Sequence, residues 1–299
     1  MLKLALTVGM SLAVSCGVLA QLKKFYSLDE VSNFDTINFD FSATSGHTYW
    51  RYIPRDNPLS IYGNPDLEKI NPSFDAQIVG RTCNVGLELE EYRTSGLGDG
   101  LAFAVMGSAK QPSEDDTNFW KILLSNDKVY DLDLHFGIGT SDIDLSGAMV
   151  SKLKVKTGSA DVRVNYNHEH PNKCEMDTFM VKVDLGSFTA LDLDHAKAKY
   201  VIADIGFGSA LLDFTHPLSQ ACEVQANVAL GGLEIFLPKN EPVIIYVKDS
   251  PFRGLNMTKD FEEVEKNVFI NRQYDAEAKN LLTFKLDVSL GNIAFRYSD

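Results

Sequence analysis

The sequence predicts a single all-β domain, a β-solenoid of stacked glycine-turn rungs, with a short N-terminal cap and a helical or loop insertion before its last rung. Three observations carry this reading. Apolar and polar residues alternate with the period of an extended strand, as in Leu132, Leu134, Phe136 and Ile138 against Asp131, Asp133, His135 and Gly137. Each alternating run meets glycine and resumes beyond it: Gly137 and Gly139 precede Ile143 and Leu145, and Gly158 precedes Val162 and Val164. The glycines recur, the intervals from Gly139 to Gly158, Gly186, Gly208 and Gly232 being 19, 28, 22 and 24 residues. At such a period one supersecondary unit buries its apolar face only against its neighbours, which is the signature of a stack rather than a sandwich.

Taken in order, the 299 residues begin with Lys3 and an apolar run from Leu4 to about Leu19 that ends in Val18-Leu19-Ala20. Residues 1–20 therefore read as a secretory signal peptide cut before Gln21. The competing reading is a lipoprotein signal, with Ala13-Val14-Ser15 ahead of a lipidated Cys16. Either places the protein in the periplasm or at the cell surface. No later stretch approaches the roughly 18 apolar residues of a membrane span.

Residues 21–117 are a less regular β-rich part and residues 118–299 the regular stack, expected to form one continuous domain. Ser27-Leu28-Asp29-Glu30 has the form of a capping box and predicts a short helix over the open end of a sheet. Ile37, Phe39 and Phe41 alternate with polar neighbours, Ser45-Gly46 predicts a turn, and His47 to Ile53 is again extended. Leu59 to Tyr62 is a brief strand, and Cys83, Val85, Leu87 and Leu89 carry another. Gly96 to Gly100 reads as a hairpin loop, since no helix-opening pattern follows to make it a phosphate cradle. Phe119 to Leu124 leads into the first regular rung. Later rungs centre on Gly186, on Gly206 and Gly208, on Gly231-Gly232 and on Gly291, with a strand at Val243 to Val247. Thr258 to Asn267 and Asp275 to Lys279 read as short helical or loop excursions that cap the far end, because a bare stack end exposes a pairing edge.

The formal net charge is −13, and Lys3 is the one charge in residues 1–20, so losing that segment makes it −14. So acidic a chain is not drawn electrostatically to nucleic acid or to an anionic bilayer. Cys83, Cys174 and Cys222 remain if Cys16 is lost, an odd count whose spacing fits no disulfide framework or zinc motif. They read as small buried hydrophobes, with a Cys174 to Cys222 bridge as the alternative. Asp142, Asp144, Asp161, Asp192, Asp194, Asp204 and Asp213 lie near successive turns. They read as a solvated face, since a hard cation wants six to eight oxygens converging on one point.

His168 and His170 with Cys174 are the compact group with metal-ligand chemistry: two histidines two residues apart point the same way on an extended chain, and the cysteine reaches back from the loop. Pro171 and Asn172 mark that segment as an exposed connection between rungs, where such residues commonly stay unliganded. Tyr49, Trp50 and Tyr52 are a candidate contact surface for glycan or protein, because apolar residues at both phases exceed what one buried face needs. The competing reading packs these rings between the N-terminal segment and the first rung. No nucleophile elbow, Walker loop or zinc-protease helix occurs, so no catalytic residue and no cofactor is expected.

Trp120 to Leu124, Tyr130 to Leu134 with Gly137-Ile138-Gly139, and Asp144-Leu145-Ser146-Gly147 resemble the toast-rack family of exported bacterial proteins. Pro242 to Val247, Tyr274 to Lys279, and Leu286 to Phe295 around Gly291 resemble the C-terminal domain of LiaF-type cell-wall-active-antibiotic response proteins and related adhesin-like domains. The resemblance covers residues 118–299 and more loosely residues 35–90. It implies a stacked β architecture exposed to the cell envelope and a role in adhesion, or alternatively in regulating the envelope-stress response. It brings no catalytic residues. The chain departs from LiaF-type proteins in having a signal peptide where those have several membrane helices. The function expected is non-enzymatic, adhesin-like surface binding of glycan or protein, with a polysaccharide-active β-helix enzyme as a further alternative.

Overall fold

The computed structural model describes residues 23–28, 34–91, 118–125, 128–249 and 254–298. The signal segment with Cys16 and the loop from Gly96 to Gly100 lie outside these residues. The described chain is almost wholly extended. In order it forms β1 (Lys24–Leu28), β2 (Thr36–Tyr52), β3 (Leu59–Asn64), β4 (Ile70–Val79), β5 (Thr82–Glu91), β6 (Phe119–Leu124) and β7 (Val129–Asp144). Next come β8 (Val150–Thr157), β9 (Asp161–Asn165), β10 (Met176–Val183), β11 (Ser187–Leu191), β12 (Ala198–Ile205), β13 (Ser209–Asp213), β14 (Cys222–Val228) and β15 (Gly232–Leu237). The last strands are β16 (Val243–Val247), β17 (Gly254–Asn256), β18 (Glu262–Glu265), β19 (Val268–Ile270), β20 (Leu282–Val288) and β21 (Asn292–Tyr297).

Each rung has two arms. The first arms pair in the order β4, β5, β2, β7, β8, β10, β12, β14, β20, β16, β19, β18, parallel from β5 to β16 and antiparallel beyond. The second arms pair in the order β1, β3, β6, β2, β7, β9, β11, β13, β15, β21, β17, parallel from β6 to β17. Inward side chains stack in columns. One first-arm column runs Val85, Phe39, Leu132, Leu153, Phe179, Val201, Val224, Phe284, Ile245. A second-arm column runs Ile61, Ile122, Trp50, Ile143, Val164, Ala190, Leu212, Ile235, Phe295. The arms fold onto each other, as Phe41 on Trp50 (centroids 5.2 Å) and Phe284 on Phe295 (5.2 Å), and one apolar core runs from Leu28 to Phe295.

Three expectations about local structure are corrected. Ser45-Gly46 and Gly137 to Gly139 are not turns: β2 and β7 pass straight through both arms and bend at glycines held at φ +133 (Gly46) and +122 (Gly139). An alanine Cβ at Gly139 would lie 1.9 Å from the Gly46 carbonyl oxygen, so the corner stacks only because neither residue carries a side chain. Inward parity switches at the bend, from Ile37, Phe39 and Phe41 to Thr48 and Trp50. Ser27 and Leu28 are not helical but pair in β1 against β3, and the rest of the expected helix lies outside the described residues. The excursion at Thr258 to Asn267 holds β18 and leads into β19, and this hairpin lies against β16, so the far end is capped by strands.

The order of the rungs also differs from the order of the chain. β20 and β21 lie between β14–β15 and β16–β17, and β2 lies between β5–β6 and β7. Among the described residues no helix is long and apolar enough to cross a membrane. On the outer face of the first arms, Lys154 meets Asp133 (2.5 Å), Lys285 meets Glu223 (2.8 Å) and Lys248 meets Asp287 (2.5 Å), so charges of opposite sign link neighbouring rungs.

Candidate functional site

Two places on this scaffold gather chemistry. The first is a groove of about 340 Å³ at the start of the second-arm sheet, lined by Lys23, Lys24, Phe25, Arg55, Tyr62 and Lys121 among others. The pairing of β1, β3, β6 and β2 sets Phe25, Tyr62, Lys121 and Tyr49 side by side, a row about 14 Å long at ~4.8 Å per strand. Phe25 and Tyr62 are 54% and 39% exposed with ring centroids 4.8 Å apart, an unusual display for rings of that size. Arg55 Nη1 lies 3.5 Å from the Tyr62 hydroxyl. Among the described residues four cations and no carboxylate line the groove, on a chain whose net charge is −13. A concave site of one sign concentrates ligands of the other.

The residues expected to form a contact surface divide by parity. Tyr49 points outward beside Lys121, with the Arg51 guanidinium 3.6 Å from its ring centroid. Trp50 points inward, fully buried, and donates from Nε1 to Thr48 Oγ1 (2.9 Å), so it belongs to the core and not to a surface. Tyr52 is half-buried, its hydroxyl accepting from Lys173 Nζ (3.0 Å). Nothing in the sequence singled out Phe25 or Tyr62. Their partnership depends on β1 returning antiparallel onto β3.

The second place is the connection between rungs, where each second arm gives way to the next first arm. His168, His195 and His216 occupy three successive connections, and their rings follow one another at 6.3 Å and 5.1 Å. A 3-10 turn at Leu193–Ala196, flanked by Asp192 and Lys197 in left-handed conformation, turns the Asp194 carboxylate inward. The Asp194 side chain is 0% exposed, with Oδ2 2.5 Å from His195 Nδ1 and 3.7 Å from His216 Nδ1. Asp192 Oδ1 is 3.2 Å from His216 Nδ1. Burial raises the Asp194 carboxyl and lowers His195, so both are held toward their neutral forms.

The group expected to bind metal is not assembled as read. His168 and His170 are exposed and Cys174 is half-buried, its thiol raised by burial. Among the described residues the group of three ligand side chains that does converge is Asp192, His195 and His216. Asn172 is not exposed either. Fully buried, it bonds Val150 N (2.9 Å), Val150 O (2.8 Å) and Ala196 O (3.0 Å), tying three connections together. Cys174 and Cys222 form no bridge; Cys83 and Cys222 are buried thiols, and Cys222 is pushed up to about 12 by burial.

The remaining acids are spent on local partners. Asp142 and Asp144 face Arg51 (3.2 and 3.8 Å), Asp161 accepts from Ser187 (2.6 Å), Asp204 from Asn227 (2.6 Å), and Asp213 from the Thr215 amide (2.9 Å).

Residues 102–186 match the N-terminal domain of toast_rack, DUF2154. No curated protein matches the chain. A solved "putative cell adhesion protein" from Clostridium sporogenes is 13% identical and covers 93% of this chain and 99% of its own, with a TM-score of 0.43. A "putative adhesin" from Parabacteroides merdae is 16% identical and covers 92% of this chain and 95% of its own, with a TM-score of 0.22. Over residues 102–186 the chain is similar to that family's N-terminal domain.

Proposed function

We propose that this is an exported, adhesin-like protein that acts by surface binding, and that its groove takes an acidic saccharide of the cell envelope. The observation that carries the reading is the groove's composition: Lys23, Lys24, Arg55 and Lys121 around the exposed rings of Phe25 and Tyr62, with no carboxylate among the described residues of the lining. Aromatic faces receive the apolar faces of sugar rings, and the cations select uronate, phosphate or sulfate substituents. Acid–base cleavage of a glycoside needs two carboxyl groups flanking the bond, and the groove offers a binding surface instead.

The test is retention of the full chain on immobilised polygalacturonate, with dextran as the neutral control. Retention on polygalacturonate alone, weakening as salt rises through the range where the Debye length falls below ~10 Å, is expected. Replacing Arg55 or Lys121 by Gln is expected to weaken it roughly two- to fivefold each, the scale of one exposed charge contact. Equal retention on dextran, or retention unchanged by these substitutions and by Tyr62→Ala, refutes the assignment.

A further inference from the structure

Three polar atoms without a hydrogen-bond partner meet at one point of the stack: Asp194 Oδ2, His195 Nδ1 and His216 Nδ1, each buried as an atom. They lie 2.5 and 3.7 Å apart, but in directions that make no hydrogen bond. Buried polar atoms are nearly always partnered, and a cluster of exceptions marks a place where water or an ion completes the arrangement. One atom each from Asp192, His195 and His216 lies within 4.8 Å of the others. Asp192 Oδ1 and His216 Nδ1 are 3.2 Å apart, close to the ~3.3 Å edge of a tetrahedron built on bonds of 2.0–2.1 Å.

We infer that Asp192, His195 and His216 form a binding site for a divalent transition metal of the zinc class, fastening two successive connections of the stack. Two imidazoles and one carboxylate are a borderline-soft donor set, which separates zinc from magnesium and calcium with their all-oxygen shells. Asp192 and His195 flank β11's exit and His216 follows β13, so the ion joins residues that only the stacking of rungs brings together. Asp194 is a positioning residue: its buried carboxylate sits 2.5 Å from His195 Nδ1, as carboxylates do behind a metal-bound histidine, which leaves His195 Nε2 for the ion. His168 lies one ring beyond His195, with centroids 6.3 Å apart.

The experiment is calorimetric titration of the full chain with zinc chloride, with magnesium chloride as the parallel probe. One zinc per chain and no magnesium heat are expected. His195→Ala and His216→Ala are each expected to weaken zinc by more than tenfold, and Asp194→Asn by roughly 10–100-fold as an outer-shell change. A variant with both His168→Ala and His170→Ala is expected to keep the one-to-one stoichiometry. Nitrogen-15 spectra of the histidine rings in the unsubstituted protein give a readout that needs no variant to fold: zinc is expected to shift His195 and His216 first. Absence of stoichiometric zinc binding overturns the site. So does binding that survives His195→Ala with His216→Ala, or zinc that moves only His168 and His170.

Discussion

Gly231 and Gly232 are neighbours in one corner, and the stack predicts opposite outcomes for them. An alanine Cβ at Gly231 would lie 2.1 Å from the Gly208 carbonyl oxygen and 2.9 Å from Ile205 Cγ2, whereas at Gly232 it would meet nothing within 4 Å. Restoring an ordinary contact of 3.4 Å or more at Gly231 moves this corner more than an ångström from the rung below, against a strand spacing of ~4.8 Å. The corner is held by Leu230 N to Gly206 O (2.9 Å), Gly231 N to Gly206 O (2.8 Å) and Gly232 N to Gly208 O (3.1 Å), and none of the three spans that gap. At ~1 kcal/mol net for each hydrogen bond, Gly231→Ala costs about 3 kcal/mol. Gly232→Ala loses no contact and stiffens the unfolded chain, a gain of ~0.4–1 kcal/mol. With roughly 2–4 °C per kcal/mol for a domain of this size, thermal unfolding followed by circular dichroism should show a fall of ~6–12 °C for the first and a rise of ~1–4 °C for the second. Equal shifts, or a Gly231→Ala protein that melts with the unsubstituted one, would refute the claim that carbonyl-to-glycine stacking sets the corner.

Trp50→Ala opens a cavity in the second-arm column and is expected to destabilise the fold by about 3–5 kcal/mol, read from urea unfolding; a loss below ~1 kcal/mol would place the ring outside the core. Asn172→Ala leaves the Val150 amide and the Ala196 carbonyl unpaired in a buried connection. It is expected to cost about 2–4 kcal/mol, with faster amide exchange at Val150 as its local signature; unchanged exchange there would contradict the clamp. Tyr297 donates to Asp260, and its hydroxyl is pushed up to about 12, first by burial and then by that bond and charge. A raised phenol contributes stability that is fully present below its ordinary value near 10 and is lost as pH climbs through about 12. Tyr297→Phe is therefore expected to be less stable at pH 8 by about 1 kcal/mol yet to lose less between pH 10 and 12, and parallel losses in both proteins would sink the assignment.

The stacked β architecture was legible because its cause is local: period-two alternation and glycine spacing are properties of short windows. The strands at 132–136, 143–145, 224–228 and 282–288 could be read from side chains alone. What escaped reading depends on partners far along the chain. The two apolar phases around Tyr49, Trp50 and Tyr52 suggested an exposed surface. Tyr49 does lie on the outward face, whereas Trp50 points inward because Gly46 switches inward parity within the strand, a backbone event with no mark beyond the glycine itself. Ser27 to Glu30 carries a capping-box pattern, but β3 offers β1 a ladder of hydrogen bonds, and tertiary pairing overrides local preference. His168 and His170 were noticed because they are adjacent in sequence, whereas Asp192, His195 and His216 converge only through the stacking of rungs. Asn172 read as a loop residue by composition. It is buried because three connections need one donor and acceptor pair between them.

The rung order has a consequence for how the stack can be completed. At one end β2 comes first in the chain, and β5, β6 and β7 add themselves to its two edges, so assembly there is growth on exposed strands. At the other end β20 and β21 come after both of their flanks and enter a slot that β14–β15 and β16–β17 leave open, two strand spacings or ~10 Å wide. In the finished stack residues 282–297 supply the partner of both of those edges. A second copy's matching segment would fit the same slot, so refolding at rising protein concentration is expected to yield a growing share of exchanged dimer, read by size-exclusion chromatography.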